Sequence, residues 1–313
     1  VTDPRSTVIV NPAANKGGAG RRWPAICARL AARLGDFEPC FTTAPGHATD
    51  LARQALLSGS RRFVAVGGDG TVNEVLNGLL DRSGRLIEPD AVICPIPAGT
   101  ANELNRALGH LPDADRAYDA AAGTGSKAID LLRIRCSGLD GRPIERFGYL
   151  MVSLGAAAAI SHRTSQSRWI KKLGPAAYLL MTPVVTLGYR NHSVLVAIDG
   201  VPQGPRRLFT AIVANTENGG GGMKLMPGAL FDDGVLDLVE MGDISRAGML
   251  TAIMPKLHRG THIHHSKVRV TRGRSFRFEA DVDILVDVDG ETVGRLPLEV
   301  TVLPLAFSVG AAT

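Results

Sequence analysis

The feature that most constrains this chain is a change of rhythm near residue 128. Up to Leu108, short apolar runs alternate with amphipathic stretches of helical period. Thr7-Val8-Ile9-Val10, Phe37 to Thr42, Val64-Ala65-Val66 and Ala91 to Ile96 read as strands; Trp23 to Leu34, Ala48 to Leu57, the stretch after Thr71 and that ending at Leu108 read as helices. Repeated βα units of this length predict an α/β domain with a doubly wound, mostly parallel sheet. From Ala128 the runs become short, β-branched or aromatic, and separated by turn residues, as in His192–Ile198, Leu208–Ala214, Phe276–Ala280 and Leu298–Leu303. That pattern predicts a β-rich antiparallel sandwich. A single helix, Arg168 to Leu187, interrupts it, broken by Gly174, Pro175 and Pro183. At 313 residues the chain exceeds what one core usually supports. The expected domains are 1–128 and 129–313, closely joined with a cleft between them, the C-terminal segment being free to pack back on the first.

Within the first domain, Val64-Ala65-Val66 runs into Gly67-Gly68-Asp69-Gly70-Thr71, and a helix leaves with Val72, Val75, Leu76, Leu79 and Leu80 on one face. Glycines at 67, 68 and 70 allow positive φ and bring main-chain N–H groups close to a phosphate. The helix N-terminus adds its positive end at the same place. A carboxylate there suits phosphate only if it binds Mg²⁺ or a water on it. The other reading is a glycine turn with Asp69 as a solvated cap, and the motif alone leaves both open. Ligands of doubly wound sheets bind beyond the strand C-termini. Three polar, glycine-rich loops are expected there, Asn11–Gly18, Gly67–Thr71 and Gly99–Asn102, converging on one nucleotide.

No apolar run reaches the roughly 18 residues of a membrane span, and a signal-peptide pattern is missing at the N-terminus, so a cytoplasmic location is expected. Cys27, Cys40, Cys94 and Cys136 form no C-x-x-C pair, which argues for buried thiols over zinc or disulfides. The net charge of +5 is uneven. Arg163, Arg168, Lys171 and Lys172 surround Trp169 with no acid among them, and Lys256, Arg259, Lys267, Arg269, Arg272 and Arg274 lie among four histidines, again without an acid. Each patch is either a solvated face or a contact for an anionic surface such as a membrane. Nucleic acid is not expected, because only Trp169 supplies an aromatic. His258 and His262 lack the glutamate of a zincin motif, His264 and His265 fall in an expected strand, and Ser161-His162 has no matching acid for a triad. No P-loop signature is present. Gly219 to Gly222 reads as a mobile loop or as the rim of an acyl-chain channel bordered by Met223, Leu225 and Met226.

Taken together, four ordered motifs resemble the diacylglycerol kinase catalytic family, which includes bacterial soluble lipid kinases and sphingosine kinases. They are Val8-Ile9-Val10-Asn11-Pro12 with Gly67-Gly68-Asp69-Gly70-Thr71-Val72-Asn73-Glu74, Pro97-Ala98-Gly99-Thr100-Ala101-Asn102, Phe231-Asp232-Asp233-Gly234-Val235-Leu236-Asp237, and Asp289-Gly290-Glu291. The first of these glycine-aspartate motifs is shared with NAD kinases. The resemblance implies ATP and Mg²⁺ as cofactors and a lipid hydroxyl as acceptor. Asn11, Thr42, Gly67, Gly68, Asp69, Gly70, Thr71, Val72, Asn73, Thr100, Asn102 and Glu103 match nucleotide-binding positions. Asp69 and Asp130 match acidic active-site positions, Asp69 organising the catalytic magnesium, and Glu291 matches the general base. A second, structural magnesium of some bacterial members would fall on the Asp233 carboxylate and the carbonyls of Leu230 and Val235. Glu103 stands where the family usually has aspartate, one methylene longer, which puts that network in doubt. A peripherally membrane-associated lipid kinase is the reading this supports, with an exposed sandwich edge able to form a homodimer. An NAD kinase-like enzyme acting on a soluble hydroxyl, or a catalytically silent lipid- or nucleotide-binding regulator, is the alternative.

Overall fold

The computed structural model describes residues 6–166 and 176–311. Arg168, Trp169, Lys171 and Lys172 of the first basic stretch lie outside the described residues, as does the start of the helix expected from Arg168. The chain divides into two compact units, one running to Ile129 and resuming at Leu305, the other comprising Asp130–Pro304.

In the first unit, β1 (Ser6–Val10), α1 (Ala14–Leu34), β2 (Pro39–Phe41), α2 (His47–Leu57), β3 (Arg62–Gly67), α3 (Asp69–Leu79) and β4 (Val92–Pro97) alternate, followed by α4 (Glu103–Ala107) and α5 (Asp115–Ala122). The strands pair in parallel, β1 standing between β2 and β3, with β4 beyond β3. The chain therefore moves outward in one direction from β1 to β2 and in the other through β3 to β4, and the reversal falls between β1 and β3. Val8, Val10, Val64, Val66, Cys94 and Ile96 pack with Ile26 and Leu30 of α1 and Tyr118 of α5. Every residue of β3 is buried, as a strand covered on both faces requires. The apolar face of α3 is buried at all its expected positions, Val72, Val75, Leu76 and Leu79, and Leu80 is buried just beyond the helix. At Gly78 a Cβ would lie 2.5 Å from the Thr49 carbonyl oxygen, so α2 and α3 touch backbone to backbone. Helix α1 begins before the expected Trp23, but Asn15, Lys16 and Gly17 are left-handed, so its opening turn is a loop in conformation.

The second unit holds β5 (Ser126–Gly138, entering from the first), β6 (Pro143–Gly148), β7 (Met151–Gly155), α6 (Ala156–Gln166), α7 (Ala176–Gly188), β8 (His192–Ile198), β9 (Val201–Leu208), β10 (Thr210–Ala214), β11 (Asn218–Gly219), β12 (Met223–Lys224), β13 (Leu236–Met241), β14 (Val268–Gly273), β15 (Ser275–Glu279) and β16 (Leu285–Val288). Strand β17 (Glu291–Gly310) follows. One antiparallel layer runs β14-β13-β10-β7-β16-β17, and a second carries β17-β15-β8-β9 with β5 and β6. A single apolar cluster joins them, Val152, Leu154, Val213 and Leu238 from one layer and Leu132, Val196, Phe276, Phe278 and Val300 from the other. Strand β17 serves both layers, pairing with β16 near Glu291–Arg295 and with β15 at Leu298–Thr301. Its end belongs to the first unit, where Ser308 and Val309 pair in parallel with Val92 and Ile93 of β4. Among the described residues no helix is long and apolar enough to cross a membrane.

Candidate active site

Strands β1, β3 and β4 end at Val10, Gly67 and Pro97, so the three expected loops emerge on one edge of the first unit's sheet, two of them flanking the reversal between β1 and β3. They are bonded to one another. The Asn11 amide Nδ2 donates to Thr71 Oγ1 at 3.0 Å, while Asn11 Oδ1 accepts the Ala13 N–H at 3.1 Å. Asp69 reaches the third loop, Oδ2 accepting the Glu103 N–H at 3.1 Å and Oδ1 the Leu104 N–H at 3.2 Å. Asn102, left-handed at φ 53°, closes that loop on itself by accepting the Gly99 N–H at 2.9 Å and donating to the Gly99 carbonyl at 3.1 Å.

One of the two reasons expected for these glycines, positive φ, does not hold. None of Gly67, Gly68 and Gly70 has positive φ. A Cβ on Gly67 would fall 2.3 Å from Thr71 Oγ1, and one on Gly99 would fall 2.3 Å from the Gly68 Cα. The missing side chains let loop pack on loop. Val72 also departs from expectation as a nucleotide contact, since its side chain is in the core, and Thr71 is buried as a brace for Asn11. Thr100 and Gly70 are exposed at the loop tips. Thr42 is buried, its N–H donating to the Val10 carbonyl at 2.9 Å. Asn73 accepts the Asn77 amide on both its carbonyl and its Oδ1 at 2.8 Å.

Asp69 is half-buried, and loss of water pushes its pKa above the usual carboxylate value, while the N–H groups of Glu103, Leu104, Asp69 and Asn102 oppose the rise. It is therefore neither of the two sequence readings alone, since it caps the helix that follows the third loop instead of its own. Glu103 is buried, its Oε2 3.3 Å from Arg106 Nε, which occupies the longer arm locally. Arg22, which sequence reading missed, donates to the Ala98 carbonyl at 3.2 Å; the only hint was its place on the first loop's helix. With Lys16 and Arg21 also on the opening segment of α1, the edge carries positive charge, helix N-termini and close-packed glycine backbone. These residues fit a triphosphate. They fit Mg²⁺ as a partner of Asp69 completed by phosphate oxygens and water, since no group of three metal-ligating side chains occurs among the described residues.

In the second unit, Asp130 is fully buried and holds the Phe231–Gly234 loop. Its N–H donates to the Phe231 carbonyl at 2.7 Å and its Oδ2 accepts the Gly234 N–H at 2.8 Å. Asp233 Oδ1 accepts the Val235 N–H at 3.2 Å, and its Oδ2 is ion-paired with Arg272. Leu230 is exposed. A metal does not fit this place as it stands, because a guanidinium already holds the carboxylate. The second basic patch is correspondingly reduced: Arg272 also pairs with Asp237 at 3.1 Å, Lys267 Nζ donates to the Asp243 carbonyl at 2.6 Å, and His262 is buried against the Leu225 carbonyl at 3.1 Å. Burial lowers the His262 pKa. The expected strand at His264 is instead a 3₁₀ turn, Thr261–His264. Leu225 and Met226 are buried and β11 pairs with β12, so the Gly219–Gly222 segment is a packed hairpin, and these two side chains belong to the core.

The Asp289-Gly290-Glu291 turn connects β16 to β17. Asp289 accepts the N–H groups of Tyr149, Leu150 and Met151, each at 3.0 Å, which fixes the turn and leaves the Glu291 side chain exposed. Beneath it lies a second residue that sequence reading missed. Asp287 is buried, with Oδ1 accepting the Gly290 N–H at 3.0 Å and Oδ2 without a partner among the described residues. Burial pushes its pKa up to about 7, opposed by a hydrogen bond from Ser161 and by the Gly290 N–H, with Asp289 and Glu291 adding to the rise. Ser161 thus has an acidic neighbour after all, though His162 turns to Gln166 at 2.8 Å and no triad forms.

Comparison with known proteins agrees with both halves of this architecture. Residues 5–134 match the model of the diacylglycerol kinase catalytic domain, and residues 150–311 match that of the YegS C-terminal NAD kinase beta sandwich-like domain. A Staphylococcus carnosus protein named diacylglycerol kinase is 30% identical over 297 residues, covering 94% of this chain and 90% of its own. Its namesake from Staphylococcus haemolyticus is 31% identical over 294 residues, covering 93% and 83%. A crystal structure of a Bacillus anthracis diacylglycerol kinase shares the fold at a TM-score of 0.70, with 20% identity and 99% and 98% of the two chains covered. The chain therefore belongs to the diacylglycerol kinase family and is a kinase.

Proposed function

We propose that the protein is an ATP-dependent lipid kinase that transfers the γ-phosphoryl group to the hydroxyl of a diacylglycerol-like or long-chain lipid. The observation that carries this reading is the bonded set of three loops at the sheet edge, Asn11 to Thr71 and Asp69 to Glu103 and Leu104, within a chain of this family. Phosphoryl transfer needs positioning and charge neutralisation more than covalent help from the protein. ATP and Mg²⁺, when bound, supply the phosphoryl group and the neutralising cation. Main-chain N–H groups of the Gly67–Thr71 and Gly99–Asn102 loops, with Lys16 and Arg22, orient the phosphates. Asp69 holds the loop geometry and presents negative charge to the cation. Glu291, exposed on a turn that Asp289 fixes, takes the proton from the acceptor hydroxyl. Asp130 keeps the Phe231–Gly234 loop in place.

Peripheral contact with an anionic membrane is part of the proposal. Leu180, Val184 and Leu187 form an exposed apolar stripe on α7, opposite buried Met181 and Val185, and no acidic residue occurs from Ala156 to Ile198. Incubation with labelled ATP, Mg²⁺ and a mixed lipid extract is expected to give a labelled organic-phase product. Its absence, where a known lipid kinase gives one, overturns the proposal. A parallel reaction with NAD as acceptor identifies the alternative directly, and lipid binding without turnover identifies a silent regulator.

A further inference from the structure

We infer that Arg272 occupies, as a guanidinium tethered to β14, the cation position of the Asp232-Asp233-Gly234 loop that the family resemblance gives to a structural magnesium ion. The inference is independent of the phosphoryl-transfer reading.

The arrangement follows from strand register. Asp237 on β13 and Arg272 on β14 are direct partners across an antiparallel pair. From there Arg272 Nε lies 3.1 Å from Asp237 Oδ1, and the other arm of the fork, Nη2, reaches Asp233 Oδ2 in the preceding loop. One planar cation thus joins a carboxylate of the sheet to a carboxylate of the loop. Asp233 spends its remaining oxygen on the Val235 N–H. The Asp237 side chain is only 5% exposed, and its Oδ2 has no partner among the described residues.

Two carboxylates so placed repel each other and need a cation nearby. Arginine suits the role because it is always charged, weakly hydrated and able to bridge two acceptors with fixed geometry. Magnesium would need a near-octahedral oxygen shell with several waters, in space that the guanidinium already fills. The loop therefore stays closed without metal, and the Gly234 N–H stays on Asp130.

The test is thermal melting of the nucleotide-free full chain in EDTA, in millimolar MgCl₂ or CaCl₂, and in NaCl of matched ionic strength. The wild-type Tm is expected to be the same in all of them. Arg272→Ala is expected to melt about 3–6 °C lower in EDTA. Magnesium or calcium, but not NaCl, should then restore it, and the restoration should vanish in Arg272→Ala/Asp233→Asn. Arg272→Lys, which keeps a charge and covers failure of the alanine variant to fold, should melt between the two with little response to divalent cations. A wild-type Tm that rises with Mg²⁺ and loses the rise in Asp233→Asn overturns the inference. So does an Arg272→Ala or Arg272→Lys protein whose melting matches wild type in EDTA.

Discussion

Asp69 lies one residue into α3 yet accepts the main-chain N–H of Leu104 at 3.2 Å, in a helix that starts 34 residues later than α3 does. One carboxylate therefore fixes the geometry of two loops. Asp69→Asn keeps an acceptor oxygen but loses the charge, so turnover is expected to fall at least about 10²-fold. Asp69→Ala removes the cap as well and should cost about 1 kcal/mol more in stability. Parallel melting and initial-rate measurements separate the two effects; near-wild-type turnover in Asp69→Asn would refute the role.

Glu291 presents the opposite case, an exposed side chain on a turn that others hold. Glu291→Gln should abolish turnover while changing stability by no more than about 0.5 kcal/mol. ATP binding, measured by calorimetry without lipid, should be unaffected. Retained activity would remove Glu291 from the reaction.

Gly99 tests the loop contact. A Cβ there meets the Gly68 Cα at 2.3 Å and Asn102 Oδ1 at 2.9 Å, so Gly99→Ala must push two loops apart. The expected result is a stability loss of about 1–3 kcal/mol and a KM for ATP raised roughly tenfold. Gly35→Ala is not a comparable control, because that glycine has φ 74°; Gly188, which has open space around it and no positive φ, is.

Asp287 makes a prediction about pH. Its folded pKa, about 7, lies above the unfolded value of 3.8, so the folded state binds the extra proton. Its contribution is fully present below the unfolded value and is lost as pH rises through the folded one, between about 4 and 7. Asp287→Asn should remove that slope and stabilise the protein at pH 8 by roughly 2 kcal/mol. Denaturant melts at several pH values read this directly, and an unchanged slope in the variant would show that Asp287 does not carry it.

Much of the fold was legible because its periodicities are local. The alternation of β and α up to Leu108 follows from local spacing, with bounds that shift at α1 and β2, and the apolar face of α3 recurs at Val72, Val75, Leu76 and Leu79. What could not be read was which distant groups meet. Asp287 was hidden between two valines in a strand, and only the fold brings Ser161 beside it. Arg272 looked like part of a basic run, although its strand partner Asp237 stood in a quoted motif. Positive φ was expected at Gly67, Gly68 and Gly70 and occurs at none of them, whereas the contact that excludes a Cβ at Gly99 joins two loops that local turn chemistry does not bring together. Leu225 and Met226 looked like pocket lining because composition cannot distinguish a channel wall from a core.

The return of β17 bears on how the protein can be dissected. Ser308 and Val309 supply the neighbour of β4, so a fragment ending at residue 134, where the catalytic-domain match stops, would leave that edge of β4 open to any passing chain. The first unit is an interrupted piece of sequence, and deletion mapping that treats it as a contiguous cassette would score a ragged sheet edge as a loss of catalysis.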